Sequence, residues 1–453
     1  MSDRAGALVA LPGWTPVAAG DLPSTLAARQ DKAFTITRTA ADRGILFHHR
    51  RRIGEDQVLL LVNTSVDARS SGTVQVAAGG VERWDPATGR ISGYPFERGE
   101  AGVRLHFDLP EAGSLLLRLT KASRQPAAAP ARRFTVIGAN GPTAMRRVGP
   151  NVLVLDYVDV RAGGESREKT YFYQASQFGF QKNGVERNPW DSAVQFRDEL
   201  MRRTFPASSG VQATYRFTIK DRVPAALSAV VERADLYAVT CNGRPVSPVK
   251  GQWWLDRAFG RIDIAAAARV GENELTLAAS PFTMQHEIEP VYLLGAFSLE
   301  ATRSGFVVAG ERPIAMGAWK EQGHPFYSEG VAYEERFTIA QPAGEYRVQL
   351  ARWYGSVAKV RVNGRLAGEI LSAPWSLDVT SLMRPGANAI EVTVVGTLKN
   401  TLGPHHGSPP LGTAWPSMFQ KAPNPGPPPG GDYSTVGYGM FAPFTLVQMV
   451  TGR

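Results

Sequence analysis

Apolar and polar residues alternate along much of this 453-residue chain, in short runs broken by turn residues. The clearest stretch is Val357 to Leu402, which reads as strand, tight turn, strand, a short Asp-Val-Thr segment, a Gly-rich turn and another strand. Its first turn is Asn363-Gly364, a pair that accepts φ > 0 at both central positions and so closes a two-residue hairpin. The second, Pro385-Gly386-Ala387-Asn388, leads into Ala389 to Val395, where Ile390, Val392 and Val394 share one side. That spacing predicts a half-buried strand.

The chain contains this stretch twice. Val239-Thr-Cys-Asn-Gly-Arg-Pro-Val246 matches Val360-Arg-Val-Asn-Gly-Arg-Leu-Ala367. Leu255 to Ile264 matches Trp375 to Val379, and Val270-Gly-Glu-Asn-Glu-Leu-Thr-Leu277 matches Pro385-Gly-Ala-Asn-Ala-Ile-Glu-Val392. An aromatic strand precedes each copy (Tyr215 to Phe217; Tyr333 to Phe337) and an apolar one follows (Tyr292 to Leu299; Tyr438 to Leu446). Asn-Gly hairpins recur by chance in β proteins, but three landmarks in the same order favour a repeat. Two units of roughly a hundred residues, all strand and turn, predict tandem β-sandwiches.

Taken in order, residues 1 to about 32 are irregular. Six runs between Gly44 and Leu119 have strand patterning and predict an N-terminal β-sandwich over 1–120. Residues 121–132, Ala/Pro-rich, read as a linker. Residues 133–212 form a mixed connecting region, with a strand over Asn151 to Val160 and helical spacing over Ser192 to Arg203 (Val194, Leu200, Met201), capped by Asp191 or Ser192. The first repeat occupies 213–302 and the second 303–453. The second runs into a long loop, 400–432, carrying Gly403-Pro-His-His-Gly407 and the Pro/Gly run 423–431. Loops of that length inside a compact domain are usually functional or disordered. The fold class expected is all-β with few short helices.

Composition narrows the function classes. The single cysteine, Cys241, excludes an intrachain disulfide and a cysteine metal cluster. The net charge of +9 is spread along the chain, its one compact cluster being His48-His49-Arg50-Arg51-Arg52. Without a basic face interleaved with aromatics or a recognisable module, this argues against a nucleic-acid partner. No apolar run reaches 18 residues, so no membrane span is expected, and the first residues show neither the h-region nor the cleavage site of a signal peptide.

Candidate chemistry is sparse. Glu287 and Glu289 in His286-Glu-Ile-Glu-Pro290 would project from one strand face about 6.7 Å apart if extended, near the spacing of an inverting glycosidase pair, although such pairs are common on surfaces. His48-His49 and His405-His406 are adjacent pairs that would face opposite ways on a strand, a poor metal geometry. No P-loop, Gly-x-Ser-x-Gly, His-Glu-x-x-His or dinucleotide fingerprint is present. Aromatics are more informative, because sugar rings present apolar C–H faces and a rim of hydroxyls. Trp353, Tyr354, Trp375 and Tyr327 could supply platforms, and Asn400, His405 and His406 the hydrogen-bonding groups; Trp253, Trp254, Trp319 and Trp415 are alternatives. For any one of these, core packing is the competing explanation.

The repeats resemble the galactose-binding-like jelly-rolls of glycoside hydrolase family 2. The residues carrying this are Val362 to Gly368, Pro374 to Asn400, and the earlier CNGRPV with WLDRAFGRIDIAAAARVGENELTL. Nearly end to end, the chain is similar to the C-terminal half of proteins related to the α-L-rhamnosidases of family 106. There the matching landmarks are His49-Arg50, Leu59 to Asn63, Trp84-Asp-Pro-Ala-Thr-Gly89, Asn151 to Asp156, Asn188-Pro-Trp190 and Asn400 to His406. The resemblance implies a sugar-recognising accessory portion of a rhamnosidase-like hydrolase acting on a plant or microbial polysaccharide. Its alternatives are a stand-alone carbohydrate-binding protein and a structural β-scaffold. Family members place their acid and base on an N-terminal (β/α)8 barrel, and this chain has no such alternation, so no catalytic residue is carried over. The barrel would lie on another polypeptide or in a missing N-terminal part. No cofactor is implied beyond the structural calcium that such jelly-rolls often carry, and no acidic loop here is dense enough to place one.

Overall fold

The computed structural model describes residues 16–28, 33–86, 88–99, 102–126, 132–191, 194–408 and 415–451. The chain divides into two compact units, the first essentially residues 1–133 and the second the remainder up to 450.

In the first unit all six expected strands form, joined by three shorter ones, Phe34–Arg38, Ile91–Gly93 and Glu97–Gly99. They make two antiparallel sheets. One runs Phe34–Arg38, Ser70–Val76, Gly102–Leu109, Glu97–Gly99; the other Leu46–Ile53, Asp56–Asn63, Ser114–Thr120, Gly80–Trp84, Ile91–Gly93. Strict alternation in Gly102–Leu109 turns Val103, Leu105, Phe107 and Leu109 inward, where they pack with Leu59, Leu61, Leu117 and Leu119. Asn63 ends its strand buried, accepting from the Ile45 and Ser65 amides and donating to the Ala68 and Pro110 carbonyls. A single amide side chain thereby satisfies four backbone groups of the flanking loops.

The second unit contains two sandwiches of the same topology. In the earlier, one sheet runs Asn151–Leu155, Val291–Gly295, Leu227–Glu232, Asp256–Asp263, Pro248–Trp254. Its partner runs Glu165–Tyr171, Tyr157–Ala162, Val211–Ile219, Gly271–Ala279, Ala238–Cys241, Arg244–Val246. The later has Arg132–Ile137, Thr445–Thr451, Glu345–Gln349, Ser376–Asp378 facing Ala144–Arg147, Val331–Ile339, Gly386–Val395, Val357–Val362, Arg365–Ile370. Each sandwich therefore opens with two strands, one for each sheet. Those of the later sandwich (132–147) precede the whole of the earlier one. The stretch 133–212 thus contributes Arg132–Ile137 and Ala144–Arg147 to the later sandwich and Asn151–Leu155, Tyr157–Ala162 and Glu165–Tyr171 to the earlier, alongside helical and irregular segments. Its apolar strand Asn151–Leu155 is buried along its full length.

Register confirms the repeat residue by residue. Phe217 lies opposite Asn273 and Ile219 opposite Gly271; Phe337 lies opposite Asn388 and Ile339 opposite Gly386. Both Asn-Gly turns have φ > 0 at each central residue, 51° and 76° at Asn242-Gly243 and 51° and 79° at Asn363-Gly364, as a two-residue hairpin matching the strand twist requires. The turn asparagine then does further work. Asn242 Nδ2 donates to Asn273 Oδ1 (2.8 Å), and Asn363 Nδ2 to Asn388 Oδ1 (3.0 Å). Each deeper asparagine also holds its own loop through the Arg269 and Gly271 or Arg384 and Gly386 carbonyls. The two copies share one clamp.

Helix content differs from expectation. Phe172–Lys182 is an 11-residue helix with Phe172, Ala175, Phe178 and Phe180 buried. It starts without a side-chain cap; the Phe172 amide is met instead by the Asp156 carbonyl. Around 192–203 there are only a 3-10 turn, Val194–Phe196, and one α turn, Arg197–Leu200. Val194 and Met201 stay exposed, only Leu200 of that set packing on the core of the earlier sandwich, and Ser192 is outside the described residues, as are parts of the linker and of the 400–432 loop.

Candidate functional site

The aromatic residues expected at a sugar surface separate into two groups. Strand Trp353–Tyr354 pairs with Gly439–Met440, and its two side chains take opposite faces. Trp353 packs inward, its ring 5.3 Å from that of Trp375 in an edge-on contact, and both are half-buried. Tyr354 points outward, 46% exposed, and lies flat against Tyr438, centroids 5.8 Å apart at 20°. Elsewhere, Trp253 and Trp415 are exposed while Trp319 is buried, its indole N–H donating to Tyr333.

Asn400, His405, His406 and Tyr327 are buried instead. The chain forms the short helix Lys399–Leu402 and then turns inward at Gly403, φ 92°, carrying both histidines under the surface. Asn400 mimics a strand partner, donating to the Val436 carbonyl (2.8 Å) and accepting from its amide (2.7 Å). His405 Nε2 donates to the Asn400 carbonyl at 2.8 Å, and burial pushes its pKa down to about 4, so it is neutral. Tyr327 accepts from the Val148 and Gly149 amides and donates to the Gly330 carbonyl. The loop placement suggested a solvent-facing role for these groups; their hydrogen bonds are made inside the fold.

His406 completes an interior network. Its Nε2 lies 2.7 Å from Asp156 Oδ2, and the Tyr433 hydroxyl donates to Asp156 Oδ1 at 3.0 Å. The rings of Tyr157 and Tyr171 approach His406 edge-on. Burial and the Asp156 charge raise the Tyr433 hydroxyl far above its usual range, keeping it a donor. Two stretches separated by some 250 positions, Asn151 to Asp156 and Asn400 to His406, thus meet at one contact. The Pro/Gly run extends this strap across the earlier sandwich, through Gly305 N to the Pro428 carbonyl (2.7 Å) and Gly430 N to the Thr302 carbonyl (3.0 Å).

A cleft of about 230 Å³ lies beside the earlier sandwich, lined by Trp190, Val194, Arg197, Met201, Glu232, Arg233, Gln285 and Glu287. Asn188, buried behind the cleft, ties two of its lining residues together. Its Nδ2 donates to Glu287 Oε1 (2.7 Å) and its Oδ1 accepts from the Trp190 amide (3.0 Å). The segment around Glu287 is irregular, fixed by the Tyr237 and Tyr215 hydroxyls on the carbonyls of Glu287 and Glu289. Burial, reinforced by Glu232 and Asp191, raises the Glu287 carboxyl to about 7 despite the Asn188 hydrogen bond. Burial raises Glu232, and Glu289 well above the usual carboxylate range. Carboxyls shifted this way in a cleft mark functional-site candidates. The sequence shows Asn188-Pro-Trp190 and His286 to Pro290 as separate stretches; nothing in it signals Glu232.

The fold and surface define an all-β protein of three sandwiches with an exposed tyrosine stacked on a second and a cleft lined by Glu232 and Glu287. No protein-family model matches the chain. Among solved structures it is similar to a rhamnosidase from Novosphingobium sp. PP1Y (17% identity, 95% of this chain and 26% of that one, TM-score 0.41). It is also similar to the α-L-rhamnosidase of Streptomyces avermitilis, solved with L-rhamnose (14% identity, 92% of this chain and 39% of that one, TM-score 0.26). A protein of Formosa agariphila named "Putative beta-glucuronidase" is 26% identical over 126 residues, 26% of this chain and 11% of its own length. The chain thus spans well under half of each of these relatives.

Proposed function

We propose that this chain is the accessory, sugar-recognising portion of a glycoside hydrolase of α-L-rhamnosidase type related to family 106, with catalysis carried by a barrel elsewhere. The observation that carries this reading is the patch on the later sandwich. Tyr354 offers an open ring face whose orientation is fixed by stacking on Tyr438, and on the opposite, inward face of the same strand Trp353 packs edge-on against Trp375. A rigid, exposed aromatic costs little entropy when a pyranose face settles on it. The ordered motifs of the sequence support the same assignment. A carbohydrate is the partner on this reading.

The test is titration of the full chain with rhamnose-containing oligosaccharides, with parallel measurement of released sugar. Saturable binding without turnover, lost in Tyr354→Ala, supports the proposal. Hydrolysis by the isolated chain would refute the non-catalytic assignment. A second reading, a structural β-scaffold, is favoured by the burial of Asn400, His405, His406 and Tyr327; failure to bind any member of a broad glycan array would select it.

A further inference from the structure

We propose that the Trp190–Glu287 cleft is a binding site for one neutral pyranose, the end residue of a glycan, separate from the patch on the later sandwich. The cleft's volume of about 230 Å³ falls below that of pockets holding drug-sized ligands, which suits one ring and excludes an oligomer. Its walls are divided as a sugar requires. Trp190, Val194 and Met201 give an apolar side; Glu232, Glu287, Gln285 and Arg233 give a polar one. The Trp190 indole N–H is already engaged, donating to the Met284 carbonyl at 2.6 Å, so the ring offers its face and not its edge.

The polar wall has unspent capacity. Glu287 Oε1 is taken by Asn188, which leaves Oε2 for a ligand hydroxyl. Arg233 is held at φ 49°, left-handed and unfavourable for a side chain of its size, with its amide donating to the Ala258 carbonyl. Its Nε is buried without a hydrogen-bond partner among the described residues. A ligand hydroxyl on the free Glu287 oxygen, with a second meeting the Arg233 Nε once that strained side chain turns into the cleft, would complete both groups.

Charge selects a neutral ligand. The groups facing Glu287 are Glu232, Asp191 and Arg233, with Arg197 at the rim. With Glu287 protonated, the Glu232 and Asp191 carboxyls offset the Arg233 and Arg197 guanidiniums, so neither a uronate nor an amino sugar gains a net advantage. The Glu287 proton, held up to about 7, makes the carboxyl a donor as well as an acceptor in mildly acidic solution. Ionisation above that pH removes the donor.

The full chain would be titrated with the methyl α-glycosides of L-rhamnose, D-galactose and D-glucose and with D-glucuronate, at pH 6 and pH 8.5, by saturation-transfer NMR and calorimetry. A neutral glycoside is expected to bind at pH 6 and about tenfold more weakly in Trp190→Ala, the loss of roughly one stacked ring contact. Wild-type binding should weaken several-fold at pH 8.5, whereas Glu287→Gln, which keeps an N–H donor at both pH values, should bind equally at both. Run in a Tyr354→Ala background, which removes the patch on the later sandwich, the same titrations report the cleft alone, so the two sites can fail independently. Should Trp190→Ala not fold, the Glu287→Gln pH profile decides alone. The inference is overturned if no neutral glycoside binds wild type, if glucuronate binds best, or if the pH dependence persists in Glu287→Gln.

Discussion

Asn388→Ala should destabilise the second unit by about 2–4 kcal/mol. The side chain is buried, 1% exposed, and makes four hydrogen bonds. It accepts from the Arg384 amide and Asn363 Nδ2, and donates to the Arg384 and Gly386 carbonyls. Arg384 and Gly386 lie in an exposed turn, so water can replace part of what their backbone groups lose. Asn363 Nδ2 has only a long second contact, 3.4 Å to the Leu382 carbonyl, and is left nearly unpaired. At roughly 1 kcal/mol for each lost bond, and 1–3 for a donor left dry, the range above follows. It corresponds to a fall in Tm of about 3–6 °C for a unit of this size. Calorimetry and urea unfolding read it directly. Asn273→Ala breaks the same set in the earlier copy and should cost a comparable amount. In a double-mutant cycle, Asn363 and Asn388 should couple by at least ~0.5 kcal/mol. If both alanine variants melt within 1 °C of wild type, the clamp is ornamental and the repeat argument loses its energetic basis.

Asp156→Ala removes the acceptor that His406 and Tyr433 share in the interior, and should cost about 2–4 kcal/mol in urea unfolding, two buried donors being left without a partner; Asp156→Asn, which keeps one acceptor, should cost less. Glu287 has a folded pKa raised to about 7. Its contribution is therefore complete below the unfolded value near 4.5 and is lost as pH rises through 7, about 3 kcal/mol in all. Glu287→Gln should flatten that decline in Tm measured against pH. His324 works in the opposite sense: burial lowers it to about 4, so stability present above pH 6.5 is lost on acidification toward 4. Both its ring nitrogens are buried without partners among the described residues, so His324→Leu should stabilise the protein at pH 7 by about 1–2 kcal/mol.

The strands and their repeat could be seen in the sequence because the signals are local: period-two alternation, and Asn-Gly turns whose backbone few other residues tolerate. What was missed depends on distance along the chain. Asn388 reads as a turn residue, and only pairing of Gly386–Val395 with Val357–Val362 reveals it as the partner of Asn363. The leading strands Arg132–Ile137 and Ala144–Arg147 join a sandwich whose body starts some 170 residues later, so they looked like connection. Helix Phe172–Lys182 lacks a polar cap and contains Gly179, a residue that disfavours helix interiors, so the local signals for a helix there are weak. His405 and His406 lie in a Pro/Gly-rich segment without periodicity, where sequence cannot distinguish a surface loop from one packed on a neighbouring sandwich. Trp353, Tyr354 and Trp375 stay at or near the surface; Asn400, His405, His406 and Tyr327 do not.

In the role proposed above, the chain recognises a glycan without cleaving it. The most direct measurement is calorimetric titration of wild type and Tyr354→Ala with a rhamnose-containing oligosaccharide, the same samples being assayed for released rhamnose. The account predicts saturable binding by wild type, at least tenfold weaker binding by a Tyr354→Ala variant of unchanged Tm, and no released sugar in either. Equal binding by both proteins, or sugar release that stops in Glu287→Gln, would contradict it.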